Sequence, residues 1–313
     1  MIEVIIIEGL IYGIMVLGVF LTFRVLDFAD LTVDGSFALG GSVTAALLMR
    51  GAPPLLIFAA VFGAGCLAGL ATALIHSKLK VPGLLAGFLT MTMLYSVNLR
   101  IQGGRSNISF LKMDTLFSKI TEFAARTHFL SGDLAVLLFL LLITLIFKLL
   151  LDVFFHTDFG LATGALGSNP QLIVSQGMNP EVVKGIGICI ANGLTAFAGA
   201  LAAEYNGFAD VGSGTGVVLA GLAAVMIGEF LLRSNKIALL TFRVLLGSIL
   251  YRALMFFARV YGWKINMGPN DLKFVTGALI ILCLIATQAK IPAKLPHKLH
   301  GRFGSKRKEG GND

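Results

Sequence analysis

Asp27, Asp30 and Asp34 fall within eight residues of one another in RVLDFADLTVDGSFALGGS, residues 24–42, and long apolar runs flank that stretch. A carboxylate beside or inside a membrane is costly and usually faces a cavity or a partner. Two chemistries fit such a site: an acid that carries protons, or a polar stretch of broken helix that lines a transport path. A plainer reading stands beside them, in which Asp34 or Ser36 caps a helix and the other acids sit at the interface. Gly35, Gly40 and Gly41 permit close helix approach or local unwinding. Asn192 and Thr195 pose the same choice in a later apolar run, where Gly193, Ala196, Gly199 and Ala200 give small-residue spacing suited to helix packing. The candidates for a path are therefore Asp30, Asp34, Ser36, Asn192 and Thr195.

Other charged positions read as structural. Glu229 lies near the inner end of one apolar run and Arg243 near the inner start of the next, so a hairpin would pair them. Arg252 lies deeper and needs water, a snorkelling route or an acidic partner. Asn98 and Gln102 mark the outer end of a span. Cys66, Cys189 and Cys283 sit singly in apolar runs and read as packing residues. No spacing of Cys and His suggests a metal, and no cofactor is expected. The chain has no G-x-x-x-x-G-K-[ST] loop, no H-E-x-x-H and no G-x-S-x-G with plausible partners, so it is not expected to be an enzyme.

The elements that hold these residues are membrane helices. The 313 residues are 56 % hydrophobic and 13 % charged, against about 25 % charged in soluble chains. Apolar runs mark spans near 4–23, 36–49, 54–76, 82–99, 133–151, 184–203, 216–232, 237–260 and 268–288. The fold class is all-α: a polytopic helical bundle of about 8–9 spans. The second run is too short to cross about 30 Å unaided, so it is a broken half-helix or borrows the polar stretch before it. The glycines at 212, 214 and 216 predict an irregular lead into the seventh span. Residues 1–289 form one transmembrane domain and 290–313 a basic tail. Glu3 and Glu8 stand where a signal peptide would carry Lys or Arg, so the first run reads as a retained helix.

The charge of +8 is concentrated after the last span, at Lys290, Lys294, Lys298, Arg302, Lys306, Arg307 and Lys308. That pattern fits a cytoplasmic tail drawn to anionic membrane lipid, not a nucleic-acid surface. Counting back, the loops with Arg24, Lys78 and Lys80, Lys184, and Arg233 and Lys236 are inside, and the N-terminus is outside. The loop of residues 100–132 is then external, where LFSKITEFAARTHFL is amphipathic.

One internal segment is unlike the spans. FGLATGALGSNPQLIVSQGMNPEVVKGIGICI, from Phe159 to Ile190, is punctuated by Gly, Pro and Asn and reads as one or two short helices. Its spaced apolar residues Leu166, Leu172, Val174 and Met178 need something to pack against. It reads as a docking element for a soluble partner.

Three blocks resemble the permease subunits of bacterial ABC importers, in the superfamily of branched-chain amino acid and ribose-type permeases. They are DLTVDGSFALGGSV, with Asp34 inserted before the Gly-Ser; GALGSNPQLIVSQGMNPEVVK, with Leu172, Ile173 and Val174 where the family often has alanines; and LAGLAAVMIGE, with Glu229 in place of a glycine. The block RVLDFADLTVDGSFALGG is similar to permeases that work with tryptophan- or tyrosine-type binding proteins. The resemblance covers nearly the whole chain except the tail.

It implies a permease of an ATP-driven importer for an aromatic or branched-chain amino acid in a bacterial inner membrane. It also implies a homodimer, cytoplasmic ABC ATPase subunits and an extracytoplasmic solute-binding protein. The ATPase-coupling segment is then about 159–184, with Asn169, Pro170, Gln171, Ser175, Gln176, Gly177, Met178 and Asn179 at the contact. The rival class is a stand-alone proton- or ion-coupled transporter using Asp27, Asp30 or Asp34.

Overall fold

The structure, a computed structural model, describes residues 2–111, 113–127, 131–232, 236–262 and 272–289. The expected basic tail lies outside the described residues, as do Lys112 and Arg233. Within them the chain is an all-α polytopic membrane bundle with one small two-stranded sheet. The helices are α1 (Ile2–Val19), continued by a π-helical turn Phe20–Val25, then α2 (Thr32–Leu48), α3 (Pro54–Leu79) and α4 (Gly83–Ile101). After them come α5 (Leu116–Thr127), α6 (Gly132–His156), α7 (Asp158–Ser168), α8 (Pro170–Ser175) and α9 (Pro180–Asn206). The last three are α10 (Val217–Leu231), α11 (Ile237–Gly262) and α12 (Leu272–Ala289). Six of the described helices are long and apolar enough to cross a membrane: those at Ile2–Val25, Pro54–Leu79, Gly83–Ile101, Gly132–His156, Pro180–Asn206 and Ile237–Tyr261.

Local signals set the ends. Pro54 opens α3 and Pro180 opens α9, positions where the missing N–H costs nothing. Gly207, at φ +77°, closes α9 in the left-handed conformation that glycine tolerates. The second apolar run takes the extended option. Residues 32–35 join it, so α2 is one unbroken helix of 17 residues. The break expected inside it falls before it, at 26–31, where Asp27 has φ +50°.

Two helices form the centre. In α1 and α9, 72 % and 83 % of the most apolar window is buried, against 22 % in α6 and 28 % in α4. A helix apolar all round is either a core helix or lipid-facing. Here the first and fifth long spans are core, while α3, α4 and α6 turn large side chains such as Leu67, Phe88 and Leu142 outward. That outward surface is the one a bilayer covers.

Small residues let α9 meet its neighbours. α2 runs parallel to it: Ser36 meets Asn192, and Gly40 faces Ala196 and Ala200. α3 runs antiparallel, with Gly65 at Asn192 and Gly69 at Ile188. Without a hydrophobic force between helices in lipid, such close backbone packing supplies the attraction.

The two ends of α9 define two faces. It is 27 residues long, about 40 Å. Its start follows α8. Its end leads into β2 (Phe208–Asp210), which pairs antiparallel with β1 (Asn107–Ser109) after α4. The amphipathic α5 lies at the sheet end, with Phe117 packed edge-on to Tyr205 of α9 at 5.9 Å.

A Cβ at Gly40 would lie 1.9 Å from the Ala196 carbonyl oxygen, whereas one at Gly63 meets nothing within 4 Å. Gly40→Val is expected to destabilise the purified protein by at least about 1–3 kcal/mol. Gly63→Ala should stay within about 0.5 kcal/mol. Thermal unfolding in detergent checks this, and coincident curves for the two variants would refute the seam.

Candidate functional site

The polar candidates of the first part of the chain converge with Asn192. The Asn192 amide nitrogen donates to Asp30 Oδ2 at 2.7 Å and to the Ile188 carbonyl at 3.0 Å, while its oxygen accepts from Ser36 Oγ at 2.7 Å. Asp30 Oδ1 accepts from the Thr32 backbone N–H at 2.9 Å. Thr32 and Thr72 share a hydroxyl bond of 2.6 Å, which ties α2 to α3. Asp30, Ser36, Asn192 and Thr195 are all fully buried. Among the described residues Thr195 bonds only back to its own helix, at the Ala191 carbonyl, 2.8 Å away. In this conformation Asp30, Ser36 and Asn192 satisfy one another within the chain.

Asp34 does something different. It leaves its own helix and accepts from the N–H groups of Gly216 at 2.8 Å and Val218 at 2.7 Å, at the start of α10. Residues 211–216 form the irregular lead that the glycines predict, and Gly216 has φ +83°. They descend along α2: Ala209 lies beside Gly41, and a Cβ on Gly214 would strike the Asp34 carbonyl at 1.8 Å. Asp34 is thus a helix cap, but for α10, across the bundle. The helix at 217–231 is thus a short one whose start lies inside the bundle.

Glu229 Oε1 accepts from Arg243 Nη2 at 2.9 Å and from Arg24 Nε at 2.7 Å. Arg24 was not expected there. It comes from the π-helical turn after α1, and its side chain is 61 % exposed while that of Arg243 is 10 %. Arg252 finds the acidic partner it needs in Glu8, at 3.5 Å, and stacks on the Tyr12 ring. Sequence reading missed two further groups. Asp152 accepts from Lys148 at 2.5 Å and Thr241 at 2.6 Å. Its signal was a Lys one turn before an acid inside an apolar run. Glu204 accepts from the Leu116 N–H at 2.7 Å, tying α5 to α9. Asn98 and Gln102, passed over as span markers, are buried and donate to the Gly35 carbonyl and to Ser42 Oγ.

The docking segment is built from a repeated Asn-Pro. Asn169 caps α8 through the Gln171 N–H and Asn179 caps α9 through the Glu181 N–H, with Pro170 and Pro180 at the first helical positions. Between them Gly177 has φ +76°, and the Met178 N–H returns to the Ile173 carbonyl at 3.2 Å, closing a six-residue helix. Ser175 bonds back to the Leu172 carbonyl. The apolar anchors differ from expectation. Leu166 is buried, but the second anchor is Ile173, at 0 % exposure; Leu172 at 45 % and Val174 at 61 % face outward. Ile173 sits between them on a helix of under two turns, so only one side can reach the bundle. Leu166 and Ile173 pack with Leu26, Phe28, Val183 and Ile188. Asn169, Pro170, Gln171, Ser175, Gln176, Gly177 and Asn179 are exposed, with Met178 half-buried.

Residues 1–284 match the family described as "Branched-chain amino acid transport system / permease component", and the chain belongs to that family of transport permeases. It is 37 % identical over 280 residues to a protein of Clostridioides difficile named a tyrosine transport system permease, covering 90 % of this chain and 88 % of that one. It is 34 % identical over 281 residues to an uncharacterised protein of Rickettsia prowazekii, covering 88 % of this chain and 94 % of that one. The fold is similar to that of PsaBC from Streptococcus pneumoniae, at a TM-score of 0.53 and 12 % identity, covering 90 % of this chain and 89 % of that chain.

Two variants probe the polar contacts. Asn192→Leu should leave Asp30 Oδ2 and Ser36 Oγ buried without the Asn192 amide and destabilise by about 1–3 kcal/mol or more, while Asp30→Asn keeps an acceptor and costs less. For the charged group, exchanging Glu229 and Arg243 sets the new arginine beside Arg24. The exchange is therefore expected to restore thermal stability only together with Arg24→Gln. Full rescue with Arg24 intact would show that Arg24 takes no part.

Proposed function

We propose that this chain is the membrane subunit of an ATP-driven importer and forms the path for an aromatic or branched-chain amino acid. ATP hydrolysis would lie in separate ABC ATPase subunits. The observation that carries the reading is α8. A transport permease presents a capped, glycine-closed apolar helix to solvent, anchored by Ile173 and exposing Leu172 and Val174. A stand-alone proton-coupled transporter gives that surface no use. The name of the Clostridioides difficile relative favours an aromatic solute.

In this reading the ATPases dock on residues 169–179, which makes the α7–α8 face cytoplasmic. The N-terminus is then outside and the C-terminus inside, in a bacterial inner membrane. An extracytoplasmic binding protein delivers solute at the face of β1, β2 and α5. A second copy of the chain completes the path, and the flanking basic residues meet anionic lipid. The spans number nine if α2, α10 and α12 are counted with the six long ones.

The lever follows contiguous contacts. Force on α8 passes through Ile173 and Leu166 to Leu26 and Phe28. Gly167 lies close enough to Val25 that a Cβ would meet its carbonyl at 2.1 Å. Leu26 and Phe28 begin the loop that carries Asp30, and Asp30 holds Asn192. Closure of the ATPases would shift this loop against α2 and α9, a rigid-body change of packed helices. Asp30, Asp34, Ser36, Asn192 and Thr195 would border the path and open to it only in part of the cycle. Glu229 and Arg243, joined by Arg24, would form a structural ion group outside the translocation path.

Leu172→Asp with Val174→Asp should abolish both ATPase pull-down and ATP-dependent tyrosine uptake, with insertion retained. Gly177→Val should reduce uptake by forcing a β-branched residue to a positive φ. Survival of pull-down and uptake in both variants would sink the docking assignment. Cysteines placed at 34 and 36 on a cysteine-free background should label with small aqueous thiol reagents in one nucleotide state. No labelling in either state would remove these residues from the path.

A further inference from the structure

A cavity of about 530 Å³ lies between the π-helical turn after α1, the end of α6, α7 and the start of α11. Arg24 and Arg243 line it together with the Phe20 and Phe155 rings, and α7 contributes Gly160, Leu161 and Gly164. Among the described residues that line it none is acidic. Both guanidinium groups lean on a single carboxylate oxygen of Glu229. Arg243 is 8 % exposed, and its buried Nε has no hydrogen-bond partner among the described residues. Two guanidinium groups against one carboxylate leave an uncompensated positive charge at the cavity wall. A carboxylate is the group whose two oxygens match a guanidinium fork.

The rest of the cavity selects the body of the ligand. Phe20 and Phe155 stand edge to face at 6.5 Å, and their walls are apolar. The volume falls in the range of sites for small organic ligands, about 300–1,000 Å³. At Gly164 a Cβ meets nothing within 4 Å, so the α7 side is left open. We infer that this cavity binds the carboxylate of an apolar or aromatic amino acid, the carboxylate on Arg24 and Arg243 and the side chain against Phe20 and Phe155. The choice of an amino acid among carboxylates rests on the transport reading above. Because α7 belongs to the docking segment, occupancy would hold α7 against α1 and α11. Solute accumulating on that side would then resist the movement that drives its own transport.

The test is equilibrium binding to the full-length permease in phosphatidylcholine nanodiscs, with radiolabelled L-tyrosine as probe. L-Phenylalanine and 3-phenylpropionate should compete, and tyramine, which lacks the carboxylate, should not. Arg24→Gln leaves the Arg243–Glu229 pair intact and should weaken binding about tenfold, the loss of one charge-assisted contact. Gly164→Leu should block it. Arg243→Lys keeps the charge beside Glu229 but loses the fork, and should also weaken binding. Competition by tyramine equal to that by phenylalanine, or wild-type binding in Arg24→Gln and Gly164→Leu, would overturn the proposal. Absence of binding would do so as well. Binding that vanishes in phosphatidylglycerol nanodiscs would assign the cavity to a lipid anion and equally overturn it. The two readings fail separately. ATP-driven tyrosine uptake that persists without binding here defeats this site alone, and binding here without uptake defeats the transport reading alone.

Discussion

A backbone N–H at membrane depth has no water to bond, and the fold is organised around meeting that constraint at the start of α10. The helix begins beside α2, not at the bundle end where the sheet lies. Its first donors would be orphans there. Asp34 supplies both carboxylate oxygens, and its charge sits at the positive end of the helix dipole. An acid that looks expensive in an apolar sequence is thus bonded to groups that need it. The arrangement dictates its surroundings. The lead at 211–216 must descend along α2, and glycine at 214 is required because the Asp34 carbonyl occupies the space of a side chain. A discontinuous helix whose N-terminus lies inside the bundle is a recurrent way to bring polar groups to a transport path.

The second anchor is Asn192, whose amide uses its oxygen and nitrogen to join the loop at 26–31, α2 and its own helix. Around it the packing relies on absent side chains. Gly40, Gly65, Gly69 and Gly199 each stand where a Cβ would enter a neighbouring backbone. The polar contacts fix register and the small residues permit approach. Neither works without the other, because hydrogen bonds of 2.7 Å demand backbones that can come close.

Much of the fold could be read from the sequence. Apolar runs marked the six long helices to within a few residues, and the two Asn-Pro pairs with Gly177 outlined α8. Glu229 and Arg243 were legible as partners because only 14 residues separate them across a hairpin. Arg24 was not, because its distance in sequence from Glu229 is 205 residues. Asp34 has the same history: its role as a cap was readable, but not the helix it caps, which lies 182 residues on. A six-residue helix is too short to show a period, so the pattern does not separate Leu172 and Val174 from Ile173, which lies between them and takes the buried face. Asp30, Ser36 and Asn192 were singled out as polar positions in apolar runs. Their mutual bonding follows from the parallel packing of α2 on α9, which no single sequence pattern states.

These contacts also limit how the bundle can move. α2, α3 and α9 interlock as one packed body through backbone approaches at Gly40, Gly65 and Gly69. A second body joins α1, α10 and α11, where a Cβ at Gly9, Gly228 or Gly247 would strike the facing helix. The bodies meet where Gly18 of α1 lies against the Ala191 carbonyl, and at the Asp34 bonds to α10. Relative motion of the bodies must strain one of these links. The least regular backbone nearby is the π-helical turn Phe20–Val25 and the loop after it. π-Turns recur at functional positions. That turn carries Arg24 at its end, and Leu26 beyond it packs with Ile173 of α8. The point where the bundle can yield is therefore the point to which its exposed helix is attached.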